Sequence, residues 1–296
     1  MTRRQSDSRY SYLQRKKRSR FHKALKGGLK YALRVDRPAG MTLFPIFPDD
    51  LFLTSFPKSG NTWLRFLTAN LLWPELDVSF ENIDELVPDI YRKTNHALAR
   101  MGRPRVLKSH EPYDPRYRRI VYVVRDPRSV LLSYQSYMEK MGTENHTLQD
   151  CAGVLFDHGR FVGTWQEHVS GWLGASQRNP ERVMVLRYED VLRSPESEVE
   201  RLAKFLAVDP GPDLIRRAIS ASSFDSMKRL ESEAGEAWEV TSRSERKDIP
   251  FVRSGEVAEW ERVLGAENDL RDWIEERCGE LLQQLGYARG PLDDSG

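Results

Sequence analysis

Cysteine is scarce in this chain of 296 residues: Cys151 and Cys278 stand far apart. Two distant cysteines make neither a disulfide framework nor a cysteine metal cluster, and they suit a reducing compartment as small buried apolar residues. No run of 18 apolar residues occurs, so no transmembrane helix is expected. The N-terminus lacks the apolar core of a secretory signal. Internal repeats are missing, and so is an acidic cluster with metal-ligand spacing; no metal is expected. Acidic residues are nearly absent from the start of the chain. Residues 1–35 hold twelve Lys or Arg against Asp7 alone, a net +11, while the remainder carries −9. Residues 1–40 therefore read as a basic, flexible arm, either a plain soluble leader or a peripheral contact, through residues 1–35, with an anionic membrane. Gly27-Gly28 weakens the partial helical spacing from Phe21 to Leu33. The basic residues are not interleaved with aromatics, so nucleic acid is not the expected partner. The expected organisation is this arm, a body at 41–290 and a tail at 291–296.

What is present is an alternation of strands and helices. Residues 51–56 are apolar and lead into a helical pattern over 61–73. Residues 104–108 form a short apolar run. Ile120 to Val124 is continuous and β-branched, the mark of a strand buried on both faces. Asp126-Pro127 then supplies an N-cap and a first-turn proline for a helix reaching residue 140. Residues 183–188 make another strand, and Ser194-Pro195-Glu196 opens another helix. Residues 231–250 are polar and charged and read as a mobile flap. Such alternation gives an α/β fold, a central parallel sheet flanked by helices in a single domain. Ligands on such sheets bind beyond the carboxyl ends of the strands, where Lys58, Lys108, His110, Arg125 and Tyr188 all fall.

The first strand ends in Phe56-Pro57-Lys58-Ser59-Gly60-Asn61-Thr62-Trp63. A strand, a tight turn and a helix start make an anion site, because the first N–H groups of a helix have no internal partner. Gly60 allows close backbone approach, Lys58 adds charge, and Ser59 and Thr62 add hydroxyls. The order differs from the G-x-x-x-x-G-K-[ST] nucleotide loop: the first glycine is missing and the lysine precedes the glycine. The block P-K-S-G-N-T-W resembles the phosphosulfate-binding loop of the sulfotransferase family, of the cytosolic type. That resemblance implies a P-loop-like fold and 3'-phosphoadenosine 5'-phosphosulfate (PAPS) as sulfuryl donor, with 3',5'-adenosine bisphosphate (PAP) as product.

Four further blocks match in order, over about residues 50 to 287. Lys108-Ser109-His110 is similar to the family's K-[TS]-H block, which implies His110 as general base with Lys58 and Lys108 as charge-neutralising partners. Val124-Arg125-Asp126-Pro127 through Ser133-Tyr134 resembles the 3'-phosphate block and implies Arg125 and Ser133 as phosphate donors. Leu186-Arg187-Tyr188-Glu189-Asp190, with Ser222, Phe224 and Met227, looks like the adenine-binding segments. Phe224 and Trp63 would sandwich the base, and Tyr188 would meet it. Phe251-Val252-Arg253-Ser254-Gly255 resembles the F-x-R-K-G block around the 3'-phosphate, with Ser254 where the family has lysine. Arg128 is a candidate to replace that lost charge. The family's C-terminal dimerisation pattern is absent, so the oligomeric state stays open.

The expected function is in-line sulfuryl transfer to a hydroxyl or amine of a small-molecule, lipid or sugar acceptor, in a cytoplasmic or peripheral membrane setting. Tyr113, Phe156, Phe161 and Trp165 are candidate acceptor walls, with His96 near them in sequence. A P-loop-type small-molecule kinase would want an Asp directly ending an apolar strand, where this chain has Arg125. A non-catalytic nucleotide-binding protein would not need Lys108 and His110.

Overall fold

The computed structural model of the chain describes residues 45–143, 146–159, 162–209, 211–253, 255–265 and 268–288. The basic arm, the tail, Phe161 and Ser254 lie outside the described residues. The chain divides into two compact units, residues 1–45 with 90–101 and residues 46–89 with 102–296. In the first, the described residues form a short helix, Asn95–Ala99, whose start is capped by Thr94 Oγ1 accepting from the Ala97 N–H at 3.1 Å. The second unit carries the sheet and every described candidate site residue except His96.

Four strands make that sheet: β1 (Leu51–Ser55), β2 (Val106–Ser109), β3 (Arg119–Val124) and β4 (Val183–Arg187). All pairs are parallel, in the order β2-β1-β3-β4. Both faces are covered, which is why β1 and β3 read as unbroken apolar runs. On one face Leu51, Leu53, Val121 and Val123 join a core with Leu64, Phe66 and Leu67 of α1 (Asn61–Leu72). On the other face Phe52 stacks on Tyr117 at 3.6 Å between ring centroids. There Tyr122 also stacks on Trp172 at 5.6 Å. Trp172 belongs to a 14-residue helix, Trp165–Arg178. Numbered in chain order, the longer helices after α1 are α2 (Pro127–Lys140), α3 (Trp165–Arg178), α4 (Pro195–Phe205), α5 (Pro212–Ala221), α6 (Phe224–Ala234) and α7 (Asn268–Gln284).

From β1 the chain moves to β2 on one side, then crosses back to β3 on the other. The strand order reverses between β1 and β3, and the crevice at their carboxyl ends is the ligand position of such a sheet. Both loops there lead straight into helices, residues 56–60 into α1 and residues 125–126 into α2. Asp126 Oδ1 accepts from the Arg128 N–H at 2.9 Å, as its position before Pro127 requires. The polar stretch 231–250 is not a loose flap. It is mostly helical, it buries Ala234, Trp238 and Val240, and the Lys140 ammonium donates to the Ile249 carbonyl at 2.6 Å.

The opposite end of the sheet is closed by a fully buried ion pair. Arg105, just before β2, donates to both oxygens of Asp50, just before β1, at 2.8 and 2.5 Å. Asp50 also accepts from the Phe47 N–H at 2.7 Å. Removing one charge of such a pair strands the other in the interior. Asp50→Asn is expected to cost about 3–5 kcal/mol in urea unfolding. Asp49→Asn, which removes an exposed pair with Arg103, is expected to leave the midpoint unchanged.

Candidate active site

The loop after β1 is held in an unusual backbone path. Lys58 has φ +69° and Gly60, at the N-cap of α1, has φ +98°. Gly60 is required twice over. Its dihedral is left-handed, and a Cβ there would stand 2.7 Å from Cδ2 of Tyr188. No side chain caps α1, so its first N–H groups remain for an anion. Ser59 Oγ is buried with no hydrogen-bond partner. The Asn61 amide points the other way: Nδ2 donates to Leu53 O at 3.1 Å, Ser55 Oγ at 3.1 Å and Ser109 O at 3.2 Å. Asn61 thereby stitches the loop to the ends of β1 and β2, and only its backbone faces the anion position. Thr62 and Trp63 follow, half-buried, in the first turn of α1.

Arg125 ends β3. It is 9% exposed, its Nε is buried without a partner, and its guanidinium lies 4.6 Å over the Tyr188 ring. Among the described residues it has no ion pair. A buried guanidinium with unused donors is costly unless an anion arrives. Ser133 lies two turns into α2, half-buried. Arg128, the expected substitute for a missing charge near Ser254, is not available. It is tied to Asp126 at 2.7 Å, Glu275 at 2.6 Å and the Ala288 carbonyl at 2.9 Å, and it lies 3.5 Å over the Trp260 ring.

The adenine-segment residues take unequal places. Trp63 Nε1 donates to Ser222 O at 2.9 Å, and Ser222 Oγ accepts from Asn70 at 3.2 Å. Met227 is buried in the core. Phe224 is half-exposed, and Gly255, φ +66°, comes so near its ring that a Cβ would stand 2.8 Å from Cδ2. Trp63 and Phe224 do not touch ring to ring, which leaves them apart as two faces for a base must be. Trp63 instead meets Tyr188 edge-on at 5.6 Å. Tyr188 thus packs against Gly60 of the loop after β1 and under Arg125. It opens a helical turn, Tyr188–Arg193, rather than finishing β4.

The strap 251–255 is anchored by Glu231 of α6, whose two oxygens accept from the Phe251 and Val252 N–H groups at 2.7 and 2.8 Å. Arg253 pairs with Glu259 at 2.5 Å. Lys58 Nζ lies 4.4 Å from the Tyr137 ring and 4.2 Å from the Phe251 ring. Burial, then the charges of Arg125, Lys108 and Arg253, push its pKa down to about 7.

At the end of β2 the two lysines diverge. Lys108 Nζ is held by Asp89 Oδ2 at 2.5 Å, so its charge is balanced by a carboxylate. Asp89 is kept well below the usual carboxylate range by Lys108, despite burial acting the other way. His110 Nδ1 stands 2.7 Å from Ser55 O. A carbonyl can only accept, so Nδ1 carries the hydrogen and Nε2 the lone pair. Burial and then the Lys108 charge hold the His110 pKa well below its ordinary value, which keeps the ring neutral through the neutral range. His168 is fully buried, with Nδ1 2.9 Å from Tyr122 OH and Nε2 3.1 Å from the His110 carbonyl. It supports His110 from behind and has no exposed edge for a substrate. Of the expected acceptor walls, Phe156 and Trp165 are buried, Tyr113 is exposed, and His96 lies in the other unit.

Asp89, Glu189, Glu231 and Tyr122 were not among the expected site residues. Glu189 could have been found, since it sits inside a matched block. Asp89 and Glu231 carry no local pattern, because each acts on a segment about twenty residues away.

Comparisons with known proteins agree on one family. The model of the sulfotransferase domain matches residues 48–286. A 3-alpha-hydroxysteroid sulfotransferase of Cavia porcellus is 30% identical over 230 residues, covering 73% of this chain and 78% of that protein. Cytosolic sulfotransferase 17 of Arabidopsis thaliana is 26% identical over 250 residues, covering 76% and 72%. Among solved structures, a mouse sulfotransferase complexed with PAP superposes with a TM-score of 0.62 at 21% identity, covering 82% of this chain and 90% of that one. A retinol dehydratase in complex with androsterone and PAP gives 0.63 at 18% identity, covering 79% and 82%.

Lys58 makes the site's electrostatics measurable. An anion bound beside it restores its proton, so titration of PAP should take up nearly one proton at pH 8.5 and about half of one at pH 7, both above the range in which the phosphates of PAP, second pKa about 6, titrate. Calorimetry in two buffers of different ionisation enthalpy reads this number. Lys58→Arg, always charged, should abolish the difference between the two pH values.

Proposed function

Since the chain belongs to the sulfotransferase domain family, we propose that it moves a sulfuryl group from PAPS to a hydroxyl or amine of a small apolar acceptor. The observation that carries this reading is positive charge without carboxylate at the strand-order reversal. Lys58 and Arg125 have no ion-pair partner among the described residues, and Ser59 Oγ and Arg125 Nε are buried without hydrogen-bond partners. A ligand with anionic groups at both its 5' and 3' positions suits that arrangement. The residues that would hold it are Lys58, Ser59 and the backbone of Gly60 to Trp63 on one side. Arg125, Ser133, Arg253 and Gly255 would serve the other, with Trp63 and Phe224 as base faces. When bound, this donor supplies the sulfuryl group.

The chain supplies the base and the charge balance. His110 Nε2 accepts the acceptor's proton, because Nδ1 is committed to Ser55 O. Lys58 balances the negative charge that the transfer leaves on the phosphate side. Lys108, neutralised by Asp89, contributes position more than net charge. The kinase reading loses support, since Asp126, the nearest acid to the end of β3, is spent capping α2 and pairing Arg128. The relatives' names, a hydroxysteroid in one and androsterone in another's complex, make apolar alcohols the first acceptors to screen.

The test separates donor from base. Arg125→Ala is expected to bind PAP more weakly by about 2–3 kcal/mol, with 5'-AMP affinity little changed. His110→Ala should bind PAP as the wild type does, while transfer of labelled sulfate to a steroid alcohol falls about 10²- to 10⁴-fold. Unaltered PAP binding by Arg125→Ala removes the donor assignment, and near-normal transfer by His110→Ala moves the base elsewhere.

A further inference from the structure

Arg125 is held from two directions by consecutive residues. The Tyr188 ring lies 4.6 Å under its guanidinium. Glu189, 4% exposed, accepts from the Asp126 N–H at 3.0 Å through Oε1. That N–H belongs to the peptide joining Arg125 to Asp126, so Glu189 sets the plane from which the Arg125 side chain departs. The other oxygen of Glu189 accepts from the Tyr287 hydroxyl at 2.8 Å. Tyr287 lies 162 positions further along the chain than Arg125, past the end of α7, and no matched motif includes it.

Three other contacts hold Tyr287 in place independently of its hydroxyl. Its N–H donates to the Leu282 carbonyl at 2.8 Å, closing α7. Its ring lies 4.5 Å beneath the Arg187 guanidinium. The next residue's carbonyl, Ala288 O, accepts from Arg128 at 2.9 Å. The hydroxyl's hydrogen goes to Glu189, with the Arg187 side chain beside its oxygen. Burial pushes the Glu189 carboxyl up, toward a protonated form that would donate as well as accept. Two donors converging on it favour the form that accepts at both oxygens, the form the Asp126 N–H requires.

We propose that Tyr287 is a positioning residue of the donor site: through Glu189 it fixes the Arg125–Asp126 peptide and thereby aims Arg125 at the donor's 3'-phosphate. The inference rests on the reading of Arg125 given above. Tyr287 touches no reacting group, and its effect belongs to 3'-phosphate recognition alone.

Tyr287→Phe keeps the ring over Arg187 and every backbone contact and deletes only the hydroxyl. PAP and 5'-AMP are titrated calorimetrically into wild type, Tyr287→Phe, Arg125→Ala and the double variant. Tyr287→Phe should weaken PAP binding about three- to tenfold, the scale of one buried hydrogen bond, and leave 5'-AMP binding unchanged. In turnover it should raise the KM for PAPS by more than it lowers kcat. On the Arg125→Ala background it should have no further effect on PAP, because the two residues act as one unit. Wild-type PAP affinity in Tyr287→Phe, equal losses for both nucleotides, or additive losses in the double variant would each overturn the proposal. If Tyr287→Phe does not fold, Glu189→Gln is run through the same cycle, with the same outcomes counting for and against. A wild type that binds PAP no better than 5'-AMP sinks the donor reading itself, an outcome distinct from the other three.

Discussion

The molecule is organised around positive charge that it holds at the carboxyl ends of β1 and β3 without neutralising it. Lys58 and Arg125 occupy adjacent loops of the strand-order reversal, and burial, then the Arg125 charge, pushes the Lys58 pKa down to about 7. A protein can keep such a pair only if nearby carboxylates are prevented from collapsing onto it. The two buried glutamates of the region are both spent on other donors. Glu231 gives both oxygens to the Phe251 and Val252 N–H groups, and Glu189 gives one to Asp126 N–H and one to Tyr287 OH. Main-chain and hydroxyl donors thus occupy the acids, and the field at the crevice stays positive.

On the neighbouring strand the chain makes the opposite choice. Lys108 is matched by Asp89, and beside that pair His110 is kept uncharged by burial and then the Lys108 charge, and in one tautomer by the Ser55 carbonyl. The contrast has a chemical logic. An unloaded positive field suits a polyanionic donor, whereas a base must keep its lone pair and would lose it to protonation if an unbalanced acid stood alongside. His168 adds a second constraint from below, bridging Tyr122 and the His110 carbonyl. The surroundings of His110 and of Lys58 are thereby tuned separately, although Asn61 ties both to the same strand ends with one amide.

Much of this was legible in the sequence wherever function and local structure share a short segment. The loop 56–63 is one strand end and one helix start, so its residues announce both the turn and the anion site. Asp126-Pro127 names the start of α2 to the residue, and the β-branched run before it names β3. At 165–178 the segment Gly163 to Val169 resembles a helix start, and Thr164 and Glu167 form a capping box there, but the aromatics around Trp165, Val169 and Trp172 blur the period that would give the helix its length. The stretch 231–250 misled for a different reason. Its charges are real and mostly exposed, but two apolar residues, Trp238 and Val240, and the anchors Lys140 and Glu231 outside or at its edge are enough to pack it. Tyr287 and Asp89 carry no local pattern, since each acts on a residue distant in sequence.

Arg125 and Arg128 show where sequence reading stops. They are three positions apart, in one block, and either could be taken for the phosphate-binding residue or a substitute for it. What separates them is partnership. Arg128 falls in the first turn of α2, where the capping Asp126 must be, and α7 brings Glu275 to its other edge. It becomes a structural knot between helix starts, the C-terminal segment and Trp260. Arg125 sits one residue before the cap, has no ion pair among the described residues, and lies over the flat face of Tyr188. An aromatic face steadies a guanidinium without using up its N–H donors. The chain therefore stores two identical side chains within one helical turn, one satisfied and one waiting, and the difference lies entirely in which carboxylates the fold allows to reach them.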